Sequence, residues 1–545
     1  MFGTMMNYPL TLTHILERAG KLFPEREILS RLPDRSLHRS TYKKVYGRAR
    51  QLAKALQQAG LQRGDRVATL MWNHYAHLEA YFGIPVAGGV MHTLNLRLAP
   101  RDIAYVARHG GARFLIVDDI LLPLYAQIKD AVKFERIFVV PLNRTQPPEG
   151  TESYEDLLDS VAGDFVYPQI EEHDAASLCY TSGTTGLPKG IAYTHRSVFL
   201  HTFLLTTVDN FAICHADTLL PVVSMFHVNG WGMPYAAAMV GCKLILPGPY
   251  LDSESLLELI TQHGVTVAAG VPTIWLSVLD CLEKNPGRWK LPPMRVVVGG
   301  AAPPLAVIRK LDELGIKLQQ GWGLTESGPQ ATTNQLKAHL VNLPKDARCE
   351  VQTKAGIPVP LVDMRVVNEA GEVPADGETL GEVQLRGPWV AASYFHQPEE
   401  TDKWTEDGWF RTGDVGTIDA EGYLQIADRA KDLIKSGGEW ISSVDLENAL
   451  VAHPGVREAA VIAVPHPKWQ ERPVAVVVPC DGAKLSAEVL REFLKDRFAK
   501  WQLPDAFVFV EELPHTSTGK LLKAELRRRY QDWQWKTTDT KRTTR

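Results

Sequence analysis

The feature that most constrains this chain is residues 180–190, which read Tyr-Thr-Ser-Gly-Thr-Thr-Gly-Leu-Pro-Lys-Gly. Its glycines let backbone N–H groups turn toward an anion, its hydroxyls add donors, and Lys189 adds a positive charge. It is not a Walker A loop, because Lys189 is followed by Gly190 instead of Ser or Thr. An ordinary surface turn is the alternative. The apolar residues on either side predict two flanking strands, so the pattern favours a rigid phosphate-binding loop.

Length and charge narrow the class of protein. A chain of 545 residues is too long for one core, so two or more domains are expected. A net charge of −4 argues against a nucleic-acid partner. The six cysteines lie far apart, and no apolar run is long enough to span a bilayer. We therefore expect a soluble, cytoplasmic protein with no integral membrane segment.

The order of predicted elements indicates an α/β fold. Strands alternate with helices from residue 66 to 140 and again from 243 to 298, which predicts mostly parallel sheets covered by helices. From about residue 362 the strands become short and turn-rich, which is typical of a small antiparallel or β-barrel-like subdomain. Past residue 428 a compact α+β unit is predicted, with a helix over 486–501. We place the domains at 1–428 and 429–545.

The phosphate-binding loop resembles the signature of the adenylate-forming superfamily, which includes acyl-CoA synthetases, luciferases and the adenylation domains of peptide synthetases. The resemblance implies that the loop binds the phosphates of ATP, that Lys189 neutralises developing charge, and that Thr181 also reaches a magnesium ion. The phosphate-binding residues implied in this way are Thr181, Ser182, Gly183, Thr184, Thr185 and Gly186.

Residues 321–326 read Gly-Trp-Gly-Leu-Thr-Glu and follow a predicted strand. An aromatic side chain between two glycines can lie flat on a base, and a carboxylate can bind a magnesium ion shared with phosphate oxygens. A β-turn with a solvated glutamate is the alternative. The stretch resembles the superfamily's adenine and metal motif, with Trp322 where tyrosine is usual. The resemblance assigns Glu326 to magnesium and Thr325 to catalysis. Further nucleotide contacts are expected from Gly300, Ala301, Gln320, Gly321 and Trp322.

Two further motifs concern the sugar and the acyl group. Asp414 ends a stretch that resembles the superfamily's ribose motif, and Arg429 corresponds to an arginine that assists at the same sugar. A turn-capping aspartate is the alternative for Asp414. His227 and Trp231 lie in an apolar segment where a satisfied core histidine is the commoner outcome. The resemblance makes His227 a catalytic donor and Trp231 a wall of the acyl pocket.

The C-terminal part of the chain carries the remaining motifs. Residues 435–441 resemble a loop that lines the pantetheine channel, and by motif position Lys431 is the hinge. Lys520 ends a motif whose lysine completes the adenylation site in the superfamily. The implied acyl or CoA contacts are Trp231, Lys435, Gly437, Gly438 and Trp440.

Together these motifs resemble bacterial medium- and long-chain fatty acyl-CoA synthetases. That resemblance implies a large N-terminal adenylation domain, a smaller mobile C-terminal domain, and a homodimer. It also implies ATP, Mg2+, coenzyme A and a small carboxylic acid as cofactor and substrates. Alternatives are a ligase for a short-chain, thioether or aryl acid, a luciferase-like oxidase, a peptide-synthetase module, and a silent nucleotide-binding regulator.

Overall fold

The computed structural model describes residues 3–143, 146–181, 187–397, 399–429, 432–436, 439–515, 521–531 and 533–535. The chain divides into two compact units, the first of residues 1–365, 384–412 and 421–424, the second of residues 366–383, 413–420 and 425–545. The predicted division after residue 428 stays a prediction.

The first unit contains a nine-stranded sheet in which the strands from Lys317–Gly323 to Glu27–Arg31 pair in parallel, while the pairings nearer the two edges are antiparallel. Its strand Val267–Gly270 is buried at every position, as expected for a parallel sheet covered on both faces. From one edge to the other its strands are Ile357–Pro358, Gln330–Thr333, Lys317–Gly323, Arg295–Val298, Val267–Gly270, Thr218–Pro221, Lys243–Leu246, Glu27–Arg31 and Leu37–Thr41.

A seven-stranded sheet in the same unit is parallel except at one edge. At that edge Gly190–Thr194 runs antiparallel to Ala175–Tyr180. In order its strands are Glu152–Ser153, Arg136–Val140, Ala112–Asp118, Arg66–Leu70, Val90–Thr93, Ala175–Tyr180 and Gly190–Thr194. The predicted mostly parallel, helix-covered sheets are therefore confirmed.

The helices of the first unit present apolar faces to these sheets. The first helix, for example, buries Leu12, Ile15, Leu16 and Ala19 along one face. The helices described in this unit are Leu12–Leu22, Tyr42–Gln58, Tyr75–Val86, Pro100–Gly110, Leu122–Ala126, Tyr154–Asp159, His195–Leu205, Met233–Val240, Ser253–His263, Pro272–Lys284, Leu305–Glu313 and Lys345–Gln352. Short 3-10 helices lie at Asp119–Leu121, Val228–Gly232, Thr325–Ser327 and Thr401–Lys403.

The turn-rich region forms a five-stranded sheet, as its short strands and turns predict. Its order is Gly371–Glu372, Asp363–Asn368, Gly381–Arg386, Phe410–Ile418 and Leu424–Arg429.

The C-terminal part of the second unit is an α+β structure built on a long antiparallel pair, Val456–His466 with Gln470–Pro479. The strands Glu439–Ile441, Ile434–Ser436 and Ala506–Phe509 complete its sheet. Its helices are Ser443–Val451, Ala487–Leu494 and Lys523–Arg529. Among the described residues, none of the helices combines the length and apolar character that a membrane crossing needs.

Candidate active site

The neck of the phosphate-binding loop lies at the edge of the seven-stranded sheet. Tyr180 pairs with Gly190 as the last register position of the two antiparallel strands. Beyond it, the Thr181 backbone N–H donates to the Lys189 carbonyl at 2.9 Å, and the Lys189 N–H donates to Thr181 Oγ1 at 3.0 Å. The loop is thus the tip of a closed hairpin. The predicted phosphate contacts from Ser182 to Gly186 lie outside the described residues.

One tyrosine connects the loop lysine with the predicted metal carboxylate. Lys189 Nζ lies 4.8 Å from the centroid of the Tyr394 ring and forms an ion pair with Glu400. The Tyr394 hydroxyl donates to Glu326 Oε1 at 2.9 Å. Burial raises the pKa of Tyr394, and the neighbouring Glu326 carboxylate raises it further, so the phenol stays protonated and keeps donating. Lys189 and Glu326, distant in sequence, are therefore brought into one cluster.

A second tyrosine holds the turn that carries Thr325 and Glu326. Tyr193, on the strand that follows the loop, donates its hydroxyl to the Thr325 carbonyl at 2.5 Å. The Ala391 N–H donates to the Glu326 carbonyl at 2.7 Å. Both backbone carbonyls of this turn are thus fixed by neighbouring segments, and Thr325 is buried.

The predicted adenine contacts gather at the carboxyl ends of two neighbouring parallel strands. Gly300 and Ala301 are exposed and follow the strand Arg295–Val298, while Gly321 and Trp322 belong to the next strand of the sheet. Gly300 has a φ of +85°, which a side chain would strain. Ligands of open α/β sheets bind at this edge.

Gln320, the remaining predicted nucleotide contact in this region, is buried. Its amide lies 3.3 and 3.0 Å from the carbonyl oxygens of Thr353 and Lys354. Its side chain therefore secures the backbone beside the predicted adenine contacts.

Trp231 lies on a left-handed turn of the backbone. Every residue from Val228 to Gly232 has a positive φ, a conformation costing on the order of 1 kcal/mol for each non-glycine residue. Buried Asn229 holds the turn by donating to Ser177 Oγ and accepting from Thr93 Oγ1 at 3.3 Å. These contacts offset the strain and attach the turn to the strand that precedes the phosphate-binding loop.

The turn brings Trp231 against the predicted adenine loops. A Cβ placed on Gly299 would lie 2.9 Å from Trp231 Cη2 and 3.0 Å from the Gly321 carbonyl oxygen. The tryptophan ring thus packs where only glycine leaves room. His227 is half-buried and directly precedes the turn.

The predicted ribose residues meet within the second unit. Arg429 Nε lies 2.5 Å from Asp414 Oδ1, and the Asp414 side chain is only 4% exposed. A carboxylate in this position can accept hydrogen bonds from sugar hydroxyls.

The predicted CoA loop is flanked by two short antiparallel strands, Ile434–Ser436 and Glu439–Ile441. Lys435 pairs with Trp440 across two short strands, and Lys435 Nζ lies 4.8 Å from the centroid of the Trp440 ring. Trp440 is 43% exposed, so one face of its ring is available to a ligand. Gly437, Gly438, the predicted hinge residue Lys431 and the predicted catalytic residue Lys520 lie outside the described residues.

Sequence reasoning missed three residues of this site: Tyr193, Tyr394 and Glu400. Tyr394 follows Ser393, where the superfamily pattern has glycine before a tyrosine, so that motif could have pointed to it. Glu400 has no such signal, because its pairing with Lys189 depends on the fold of residues 395–400.

The donor set around Glu326 fits a magnesium ion held jointly with phosphate. No cluster of three metal-binding side chains lies among the described residues. Magnesium commonly takes only one or two carboxylates and completes its shell with water and substrate phosphate oxygens. Glu326, kept in place through one oxygen by Tyr394, suits that mode of binding, and the Thr181 hydroxyl is the second predicted ligand.

The chain is similar to known enzymes over nearly its whole length. The model of the family described as AMP-binding enzyme matches residues 16–395, and that of its C-terminal domain matches residues 445–520. A long-chain-fatty-acid–CoA ligase of Thermus thermophilus is 51% identical over 97% of both chains. A medium-chain-fatty-acid–CoA ligase of Ectopseudomonas oleovorans is 43% identical over 98% of both. The crystal structure of the anthranilate CoA ligase AuaEII with anthranoyl-AMP aligns with a TM-score of 0.86 at 26% identity, covering 97% of this chain and 99% of that one.

Proposed function

The chain belongs to the AMP-binding enzyme family, and from this premise we propose that it is an AMP-forming acyl-CoA ligase for a medium- to long-chain fatty acid. ATP, Mg2+ and coenzyme A are its cofactor and co-substrates. The observation that carries the proposal is the cluster of Lys189, Tyr394 and Glu326, which gathers a cation and a metal-binding carboxylate beside the phosphate-binding loop. The chain length of the acid is supported by the two fatty-acid ligases that align over nearly the whole chain.

The first half-reaction makes the acid reactive. A carboxylate resists thiols because it repels nucleophiles and has no good leaving group. Its oxygen attacks the α-phosphorus of ATP, pyrophosphate leaves, and the acyl adenylate carries AMP as leaving group. Lys189 and Lys520 would neutralise charge developing on the phosphate oxygens, and Glu326 with Thr181 would hold the magnesium ion. When bound, that ion supplies Lewis-acid neutralisation of the same charge.

In the second half-reaction the thiol of CoA attacks the adenylate carbonyl and AMP leaves. No protein nucleophile is required, because the thiol is itself the attacking group. Lys435 and Trp440 would receive the pantetheine chain, and Trp231 would bound the acyl group. Rotation of the C-terminal part about Lys431 would alternate Lys520 with the residue 435–441 hairpin between the two half-reactions.

A panel of carboxylic acids tests the substrate class. Acids from acetate to palmitate, with benzoate and cinnamate, are incubated with ATP, Mg2+ and CoA, and AMP formation is measured. We expect the highest kcat/KM with medium- or long-chain acids and no AMP without an acid. If kcat/KM is instead highest with a short-chain or aromatic acid, the proposed substrate class is wrong. Absence of AMP with every acid would reject the ligase function, and light emission with oxygen would favour an oxidase.

The cellular location and the oligomeric state of the protein remain predictions. The six thiols are unpaired, which supports the predicted cytoplasmic location. A homodimer is expected from the superfamily resemblance alone. Sedimentation of the purified chain would test it directly.

A further inference from the structure

A buried lysine in the second unit lies among two carboxylates and a hydroxyl. The Lys523 side chain is only 10% exposed, and its Nζ lies 2.8 Å from Glu447 Oε1. The ammonium also donates to Ser443 Oγ at 2.6 Å and lies 4.0 Å from Asp428 Oδ1. We call Asp428, Ser443, Glu447 and Lys523 the lysine network.

Both carboxylates of the lysine network accept a backbone hydrogen bond. The Ser443 N–H donates to Asp428 Oδ2 at 3.0 Å, and its hydroxyl donates to the same oxygen. The Val461 N–H donates to Glu447 Oε1 at 2.7 Å. The ammonium is thus held by the helix Ser443–Val451, which carries Ser443 and Glu447, and by Asp428 on the strand Leu424–Arg429.

The lysine network holds one cation, Lys523, beside the carboxyl groups of Glu447 and Asp428, and burial and charge together shift the pKa of each. Burial lowers the pKa of Lys523, but the Glu447 and Asp428 carboxylates raise it more, so the net shift is upward and the ammonium stays charged. Burial raises the pKa of Glu447 to about 7. Asp428 shows an upward pKa shift for the same reason.

The lysine network anchors the chain directly after the predicted catalytic loop. Lys523 begins the helix Lys523–Arg529, and one turn later Arg527 forms an ion pair with Asp432. On the other side, His515 and Leu521 form an antiparallel bridge, and the Leu522 N–H donates to the Pro514 carbonyl at 2.8 Å. The described residues on either side of 516–520 are therefore held at defined places.

Stability alone does not explain a buried charge at this position. Removing an ammonium from water costs several kcal/mol, and replacing a buried ion pair with apolar side chains is often neutral or stabilising. A methionine would fill the same volume at lower cost. What the ion pair adds is a defined direction and distance, because the ammonium must meet oxygens on two separate segments.

We propose that Lys523 is a positioning residue for adenylation: the lysine network holds the described residues that follow 516–520, and this anchor serves the predicted catalytic residue Lys520, three residues earlier in the chain. The proposal rests on the proposed function and on the predicted role of Lys520. Lys523 does not touch substrate in this account. Its effect passes through the backbone between the two lysines.

The test compares Lys523→Met with the wild-type protein in the two half-reactions measured separately. Pyrophosphate exchange into ATP reports adenylation, and thioester formation from supplied acyl-AMP and CoA reports the second step. We expect the Met variant to lose about tenfold or more of kcat in pyrophosphate exchange, and less than about threefold in thioester formation. The KM for ATP should change little, since Lys523 makes no contact with it.

Two further variants separate positioning from general damage. Lys523→Arg keeps the charge and should recover most of the exchange rate. Lys484→Met, which removes an exposed lysine of the same unit, should leave both half-reactions unchanged. If Lys523→Met does not fold, Asp428→Asn removes one charge with little change of shape and should give a smaller loss in the same half-reaction.

The possible outcomes distinguish this proposal from the proposed function. Equal losses in both half-reactions, or no loss in either, would overturn the positioning role while leaving the ligase intact. A wild-type protein that performs neither half-reaction would instead reject the proposed function.

Discussion

Two loops of this chain have nearly the same composition, but different kinds of contact hold them in place. Residues 181–189 and 516–520 are both rich in glycine and hydroxyls, and both end on a lysine. The first lies between two strands of a seven-stranded sheet, and two hydrogen bonds between Thr181 and Lys189 close its neck. The second is bounded by a bridge between His515 and Leu521 and is followed by the lysine network. The neck of the first loop is thus held by groups that do not titrate, and the chain after the second loop by groups that do.

The difference suggests what each loop is required to do. A hairpin whose strands belong to a sheet is expected to keep one geometry throughout a catalytic cycle. A loop followed by ion pairs on a small unit would keep its own geometry during the proposed movement of that unit. The first loop should therefore tolerate loss of a side-chain contact behind it, and the second should not.

Removal of the second loop's lysine should give the largest effect. Lys520→Ala is expected to lower pyrophosphate exchange by about 100- to 1,000-fold, because a cation that neutralises transition-state charge is lost. Thioester formation from supplied acyl-AMP should fall far less. Comparable losses in both half-reactions would show that the second loop serves both steps and would break the division of labour.

The pH dependence of the lysine network should give the next largest effect. The pKa of Glu447 lies at about 7 in the folded protein, above its ordinary value of 4.5, because the side chain is buried. Its contribution to stability is therefore fully present below about pH 4.5 and is lost as the pH rises through about 7. The change is on the order of 3 kcal/mol. Glu447→Gln stays neutral, so its free energy of unfolding should vary less between these pH values.

The measurement for Glu447 is denaturant unfolding of wild type and variant across that pH range. Asp428 and Asp445 also face the network and remain in both proteins, so the difference between the two curves isolates Glu447. Glu492→Gln, at an exposed position, serves as the control. Parallel curves for wild type and Glu447→Gln would mean that the network is not charged as described.

The sequence predicted the first loop's supports better than the second's. The strands around residues 181–189 follow from unbroken apolar runs, and the structure has them at Ala175–Tyr180 and Gly190–Thr194. The lysine network carries no such signal, since its members come from segments up to 95 residues apart, counted from 428 to 523. Charge pairing of that kind depends on how the unit folds.

The same limit applied to local structure in the second unit. The predicted helix over 486–501 ends at Leu494, because residues 495–497 are charged and exposed and offer no apolar face to pack. In the first unit the predicted strand over 136–140 matches the observed Arg136–Val140. Hydrophobic periodicity predicts the bounds of an element where the segment is buried along its whole length. It fails where the segment becomes exposed to solvent.

The Tyr394→Phe variant tests whether Tyr394, near the first loop, orients the predicted metal ligand Glu326 or stabilises the fold. The variant loses the hydroxyl that donates to Glu326 at 2.9 Å. Because outer hydrogen bonds orient metal ligands, the Mg2+ concentration for half-maximal adenylation should rise about tenfold, with little change in unfolding free energy. Tyr8→Phe, at an exposed tyrosine, is the control. A large loss of stability with unchanged Mg2+ dependence would assign Tyr394 to the fold.

The smallest effect is expected behind the first loop itself. The Tyr180 hydroxyl lies 2.7 Å from His109 Nδ1, at the end of the strand that enters the loop. Tyr180→Phe removes this hydrogen bond, which typically costs about 1 kcal/mol of stability. Adenylation should stay within about threefold of wild type, because the sheet and the two hydrogen bonds between Thr181 and Lys189 still close the neck. If pyrophosphate exchange instead fell as far as in Lys523→Met, the first loop would also depend on side-chain support, and the contrast between the two loops would no longer hold.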